Sequence, residues 1–217
     1  MRTAEELSDK LSDERIWRVK EITAISNLAS RPNLPPVEAE FYCRAGSALF
    51  YAHWEGFVKR AATHYLKYVA FQRVKISEMA DFVMCLFMQQ NLGGAPSAAQ
   101  LLKLSQRLQF QQELRPKLIW KNIIQTDSNL SSNVLRKIVA QLGLDYSLLA
   151  TKSMKIDGLI LYHRNAIAHG EKGEVDLDTL NEMRTEAISL ITLFRDMIEN
   201  AVVTKAHLRP RDAAPAR

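Results

Sequence analysis

Tyr162-His163-Arg164-Asn165-Ala166-Ile167-Ala168-His169-Gly170 closes a helix that the sequence predicts over 153–169. The stretch sets an arginine beside an amide and puts a histidine five residues further on. A glycine follows at once, where a helix commonly ends. A fixed cation next to a group that trades protons near neutral pH is what cleavage of a phosphodiester by RNA's own 2′-hydroxyl requires.

On an ideal helix each residue turns about 100°. With Leu159 at zero, Ile156, Ile160, Ala166 and Ile167 fall within an arc of roughly 120°, the expected buried face. His163 falls inside that arc and reads as a core histidine. Arg164 sits at the rim, and His169 lies roughly 140° from it. The two therefore converge either through a distorted last turn or by meeting counterparts across a two-fold dimer. A plainer reading has them capping the helix, since cations suit a C-terminus. The flanking Asn165, Ala166, Ala168 and Gly170 favour a functional site.

Working outward, the last helix spans about 177–204, with an apolar stripe of Leu177, Leu180, Met183, Ala187, Leu190, Ile191, Phe194, Met197, Ile198 and Ala201. A first helix covers about 4–28 and stops at Ser30-Arg31-Pro32-Asn33-Leu34-Pro35-Pro36, where prolines forbid continuation. Pro36 opens a long, central second helix over about 36–72. A third is expected over 75–91, then a polar helical stretch over 97–125 interrupted by Pro116. Ser131-Ser132-Asn133 offers N-cap candidates for a further short helix that closes at Gly143. No segment alternates as a strand does and no internal repeat occurs. The expectation is an all-α bundle: one domain over 1–204, then a basic, disordered tail over 205–217.

The long second helix places Ala45, Ala48, Ala52, Glu55, Ala62 and Leu66 on one face. Such an alanine stripe lets another helix approach closely. Glu55, its one carboxylate, should need a cationic partner if buried, and could orient Arg164 or His169. Trp54 reads as core or interface, and His53 has no assigned role.

Composition constrains the rest. The net charge of +5 includes +3 from Lys205 onward, leaving +2 in the body, which permits RNA contact without demanding it. No apolar run is long enough to span a bilayer, and the N-terminus lacks the apolar core of a secretion signal, so the expected location is cytoplasmic, without a membrane partner. Cys43 and Cys85 are isolated, and no His-x-x-x-His or Cys-x-x-Cys spacing occurs, so neither a metal site nor a cofactor is expected.

The Arg-polar-x-x-x-His spacing is the signature of the HEPN superfamily, and Arg164 to Gly170 resembles its ribonuclease members closely. Leu49 to Lys59, Tyr65 to Val69, and Asn129 to Asp145 resemble the RiboL-PSP-type HEPN branch in particular, so the likeness covers most of residues 40–200. The resemblance implies a HEPN-like helical bundle with additional helices. It also implies a metal-independent endoribonuclease, commonly a homodimer with two motif copies in one composite cleft. By that resemblance Arg164 holds the scissile phosphate, His169 is the general base or acid, and Asn165 orients a phosphate or the 2′-hydroxyl. The products are a 2′,3′-cyclic phosphate and a 5′-hydroxyl. Such a chain could be the toxin of a toxin–antitoxin or phage-defence module, held by a cognate antitoxin protein. Toxins of this kind silenced by nucleotide transfer carry a tyrosine two residues after the histidine, where Glu171 stands here. The alternative is a catalytically inactive HEPN fold that binds RNA, nucleotide or a protein partner.

Overall fold

Thr3 starts the first helix by accepting the Glu6 N–H on its side-chain oxygen at 3.1 Å, and Glu5 and Glu6 place negative charge at the positive helix end. In the computed structural model, which describes residues 1–210, this helix α1 runs Ala4–Ala29. α2 runs Pro36–Gln72 and stops where Arg73 turns left-handed, at φ 52°. α9, Leu177–Val203, is capped by Asp176, whose carboxylate accepts the Thr179 N–H at 2.7 Å. These three helices pack together and carry most of the core. Trp54, Phe57 and Tyr65 of α2 and Phe194 of α9 are fully buried, each contributing roughly 1.5–3 kcal/mol by leaving water. Of the expected α9 stripe, all but Leu177 is buried. Gly46 brings α2 and α9 close: a Cβ there would lie 2.9 Å from Leu180 Cδ1.

The smaller elements are α3 (Asp81–Leu92), α4 (Ala98–Phe110), α5 (Ser132–Gln141), α6 (Ser147–Ala150), α7 (Ser153–Lys155), a π turn (Ile156–Leu161) and α8 (Tyr162–Ala168). Ser97 and Gln100 form a capping box at the start of α4, and Ser131 caps α5. Among the described residues there is no strand; a single antiparallel bridge joins Met79 and Leu208. None of the described helices is long and apolar enough to cross a membrane.

Three sequence expectations need correction. The third α-helix begins at Asp81, not near 75: Ile76–Glu78 form a separate 3-10 turn whose Ile76 and Ser77 donate to the Leu114 and Gln112 carbonyls, and Ala80 donates to the His207 carbonyl. The polar stretch after residue 97 is helical only to Phe110; beyond it the chain is irregular, with Asn122, Asp127 and Ser128 in left-handed conformations. Residues 205–210, expected to begin a disordered tail, lie against the body. His207 is buried edge-on to Tyr68, and Arg209 donates to the Glu78 carbonyl at 2.8 Å. The rest of the expected tail, 211–217, lies outside the described residues.

His53 proves structural. It is buried against the edge of Trp17, its Nε2 lies 3.2 Å from Glu21, and its backbone carbonyl accepts from the buried Arg18. Burial lowers the pKa of His53, His64, His163 and His207, and the carboxylates near the first three only partly offset it. The unfolded chain therefore takes up protons near pH 6.5 that the folded chain accepts only at lower pH. Stability from these groups is complete above that value and is lost as pH falls through it. The melting temperature followed by circular dichroism should accordingly drop between pH 7.5 and 5, and a flat profile over that window would contradict the burial of these imidazoles.

Candidate functional site

The motif helix begins irregularly. Across the π turn the Tyr162 N–H reaches back to the Asp157 carbonyl, five residues earlier. Asp157 is itself held from outside, accepting the Ser132 backbone N–H at 2.7 Å and the Ser132 hydroxyl at 2.5 Å. A π turn is wider than an α turn, so side chains beyond it fall behind the ideal 100° step. Leu161, which that step places on the far side, is buried beside Ile156 and Ile160. Ala166, Ile167 and His163 are only half-buried. His163 is thus not the core histidine the ideal helix implies; it meets the edge of exposed Tyr162 and lies at the flank.

The other end of the helix is regular. His169 donates its backbone N–H to the Asn165 carbonyl at 3.0 Å. Gly170 takes φ 76° and donates to Ile167, and Glu171 donates to Ala166 at 2.9 Å. That pair of reversed bonds around a left-handed glycine is a Schellman cap. Arg44 of α2 fastens the loop beyond it, donating to the Glu171 carbonyl at 3.1 Å. No distorted last turn therefore turns His169 towards Arg164. His169 is exposed, and among the described residues its side chain makes no hydrogen bond or ion pair.

Arg164 is anchored on three sides. Its guanidinium carbon stands 4.6 Å from the centroid of the Tyr51 ring. One terminal nitrogen donates to Asn165 Oδ1 at 2.8 Å and the other to the Ser128 carbonyl at 2.9 Å. A guanidinium has five N–H donors, so three remain for a ligand. The carbonyl belongs to a loop in which Asp127 and Ser128 are consecutively left-handed, at φ 54° and 53°. Asn165 meets both motif residues, Arg164 through its side chain and His169 through its backbone.

Tyr51, which sequence reasoning passed over, joins these parts. It is 2% exposed, and its hydroxyl accepts the Leu130 N–H at 2.7 Å, pinning the loop that presents Ser128. Burial first, and the charge of Glu55 one turn along α2, push its hydroxyl pKa up to about 12, against the pull of the Leu130 N–H and Arg164. The hydroxyl is therefore neutral across the working pH range. Glu55 is half-buried and, among the described residues, has no ion-pair partner, so the cationic partner expected for it is not found there. The alanine stripe is likewise not a helix seam throughout: Ala45 and Ala48 are half-buried and Ala52 is exposed.

The structure thus brings Arg164, held by Asn165, over Tyr51, with Glu55 one turn along the same helix, and holds His169 apart at the end of the motif helix. Among the described residues, no three His, Cys, Asp or Glu side chains gather as a metal site would need. The sequence signal for Tyr51 was its place one helical turn before Glu55; Ser128 gave none, being recruited by its backbone alone.

Comparison with curated proteins and with solved structures gives no match. Comparison with family models matches RiboL-PSP-HEPN, of ribonuclease type, over residues 13–200, from within α1 nearly to the end of α9. A match over most of the chain, on an all-helical fold that presents the Arg-polar-x-x-x-His segment at the end of a helix, means that the chain belongs to the RiboL-PSP-HEPN family.

Proposed function

We propose that this protein is a metal-independent endoribonuclease in which Arg164 and His169 carry the chemistry and two chains supply one cleft. The observation that carries this reading is the Arg164 guanidinium, held on three sides with N–H donors to spare, on the short helix capped by His169, whose exposed imidazole makes no bond among the described residues. In the reaction the 2′-hydroxyl loses its proton to a base and its oxygen attacks the adjacent phosphorus. The P–O5′ bond breaks, and the departing 5′-oxygen takes up a proton. His169 serves as base or acid in this exchange. Arg164 bears the charge that builds on the non-bridging oxygens, its planar fork matching two of them. Asn165 holds Arg164 with its amide oxygen and offers its amide N–H groups to a phosphate or the 2′-hydroxyl. Glu55 acts at one remove, on the hydroxyl of Tyr51.

An enzyme that cuts RNA without a metal needs restraint inside a cell. A role as the cytoplasmic toxin of a defence module, held by an antitoxin protein, fits such an activity. The test is direct. Purified protein in EDTA should convert end-labelled RNA to fragments ending in a 2′,3′-cyclic phosphate and starting with a 5′-hydroxyl. Expression should degrade total RNA, and expression of His169→Ala should not. RNA left intact but bound by the wild type would instead favour a binding module on the same fold.

A further inference from the structure

We infer that Tyr51 is the positioning residue of this site: its ring is the platform on which the Arg164 guanidinium lies, and its hydroxyl holds the loop whose carbonyl grips the same guanidinium at its edge. The inference rests on the reading of Arg164 as the phosphate-holding group. Three observations carry it. The guanidinium carbon is 4.6 Å from the ring centroid, within the range where the ring's negative face attracts a cation. The hydroxyl accepts the N–H of Leu130, a fully buried residue, across 79 positions of sequence. Two residues before Leu130, the Ser128 carbonyl accepts from Arg164. One side chain therefore fixes the arginine directly through its face and indirectly through the loop.

The geometry also explains why the loop tolerates its conformation. Two successive non-glycine residues in the left-handed region are costly, and they persist only where surrounding contacts over-determine them. The Tyr51 bond to Leu130 and the Arg164 bond to Ser128 supply such contacts from two different helices. Neither end is isolated: loosening the tyrosine frees the loop, and the loop then no longer aims its carbonyl at Arg164.

A purely structural tyrosine at this position would affect stability and leave the chemistry alone. Two variants and one spectrum separate the readings. Tyr51→Leu removes both ring and hydroxyl. It should lower kcat on RNA by roughly 30-fold or more while KM stays within about threefold, the scale that ångström misplacement of a catalytic group costs. Tyr51→Phe keeps the platform and loses only the loop bond, so its loss of kcat should be clearly smaller. The spectrum needs no turnover: in the wild type the Arg164 Nε–H, identified by its disappearance in Arg164→Lys, should resonate upfield of the other arginines because it lies over an aromatic face. That displacement should survive in Tyr51→Phe and vanish in Tyr51→Leu. Wild-type cleavage by Tyr51→Leu, equal damage from both variants, or an undisplaced Arg164 resonance in the wild type would each overturn the inference. Protein that cleaves no RNA yet shows the displaced resonance would refute the ribonuclease reading and leave the platform standing.

Discussion

Arg164→Ala and His169→Ala should each lower RNA cleavage by at least roughly 100-fold, the scale of one lost proton-transfer group or one lost charge-stabilising donor. The two substitutions differ in what else they disturb. His169 is exposed and its side chain is unbonded among the described residues, so its loss should change stability by no more than about 0.5 kcal/mol, as for other surface changes away from packing features. A large fall in rate at an unchanged melting temperature then reports chemistry alone. Arg164 is tied to Tyr51, Asn165 and Ser128, so Arg164→Ala also removes a stacked contact worth about 0.5–2 kcal/mol. Arg164→Lys is the sharper control: it keeps the charge and loses the planar fork that reaches both acceptors. It should fold like the wild type and remain well below it in kcat. Wild-type rates from both alanine variants would remove the Arg–His assignment altogether.

Local chemistry made much of this molecule readable in advance. Pro36 opens α2 where a proline costs nothing, and Ser131, one of the N-cap candidates, caps α5 in the way its side chain favours. The α9 stripe is buried because a 3.6-residue period puts those positions on one face. What could not be read depends on partners remote in sequence. The π turn coincides with the grip of Ser132 on Asp157, and it rotates Leu161 inward against the ideal-helix expectation. Residues 76–80 form a 3-10 turn and an extended link, not the start of α3, and bond with 112–114 and 207–209. The site divides in the same way. Arg164, Asn165 and His169 share one short helix and its cap, so their spacing was visible. Tyr51 and Ser128 enter through three-dimensional contact, and the cation expected beside Glu55 is not found among the described residues.

Mixing inactive Arg164→Ala with inactive His169→Ala should restore cleavage. On a helix, five residues separate the two side chains by about 7.5 Å along the axis and roughly 140° around it. The structure offers no local remedy, since the turn between them is regular and ends in a Schellman cap. The surface beside the helix is suited to a second chain. Phe41 and Val37 are 64% and 79% exposed, and together with Ile167 they line a cleft of about 440 Å³ between α2 and the motif helix. In a symmetric dimer the arginine of one chain can face the histidine of its partner. After dissociation and random reassociation about half of the dimers are heterodimers, each holding one intact arginine and one intact histidine, so regained activity should reach roughly a quarter to a half of wild type. If both groups must come from one chain, no heterodimer contains a competent pair and the mixture stays dead. Light scattering on the same samples closes the argument: a strictly monomeric, fully active wild type removes the composite cleft and leaves the roles of Arg164 and His169 to the single-variant rates.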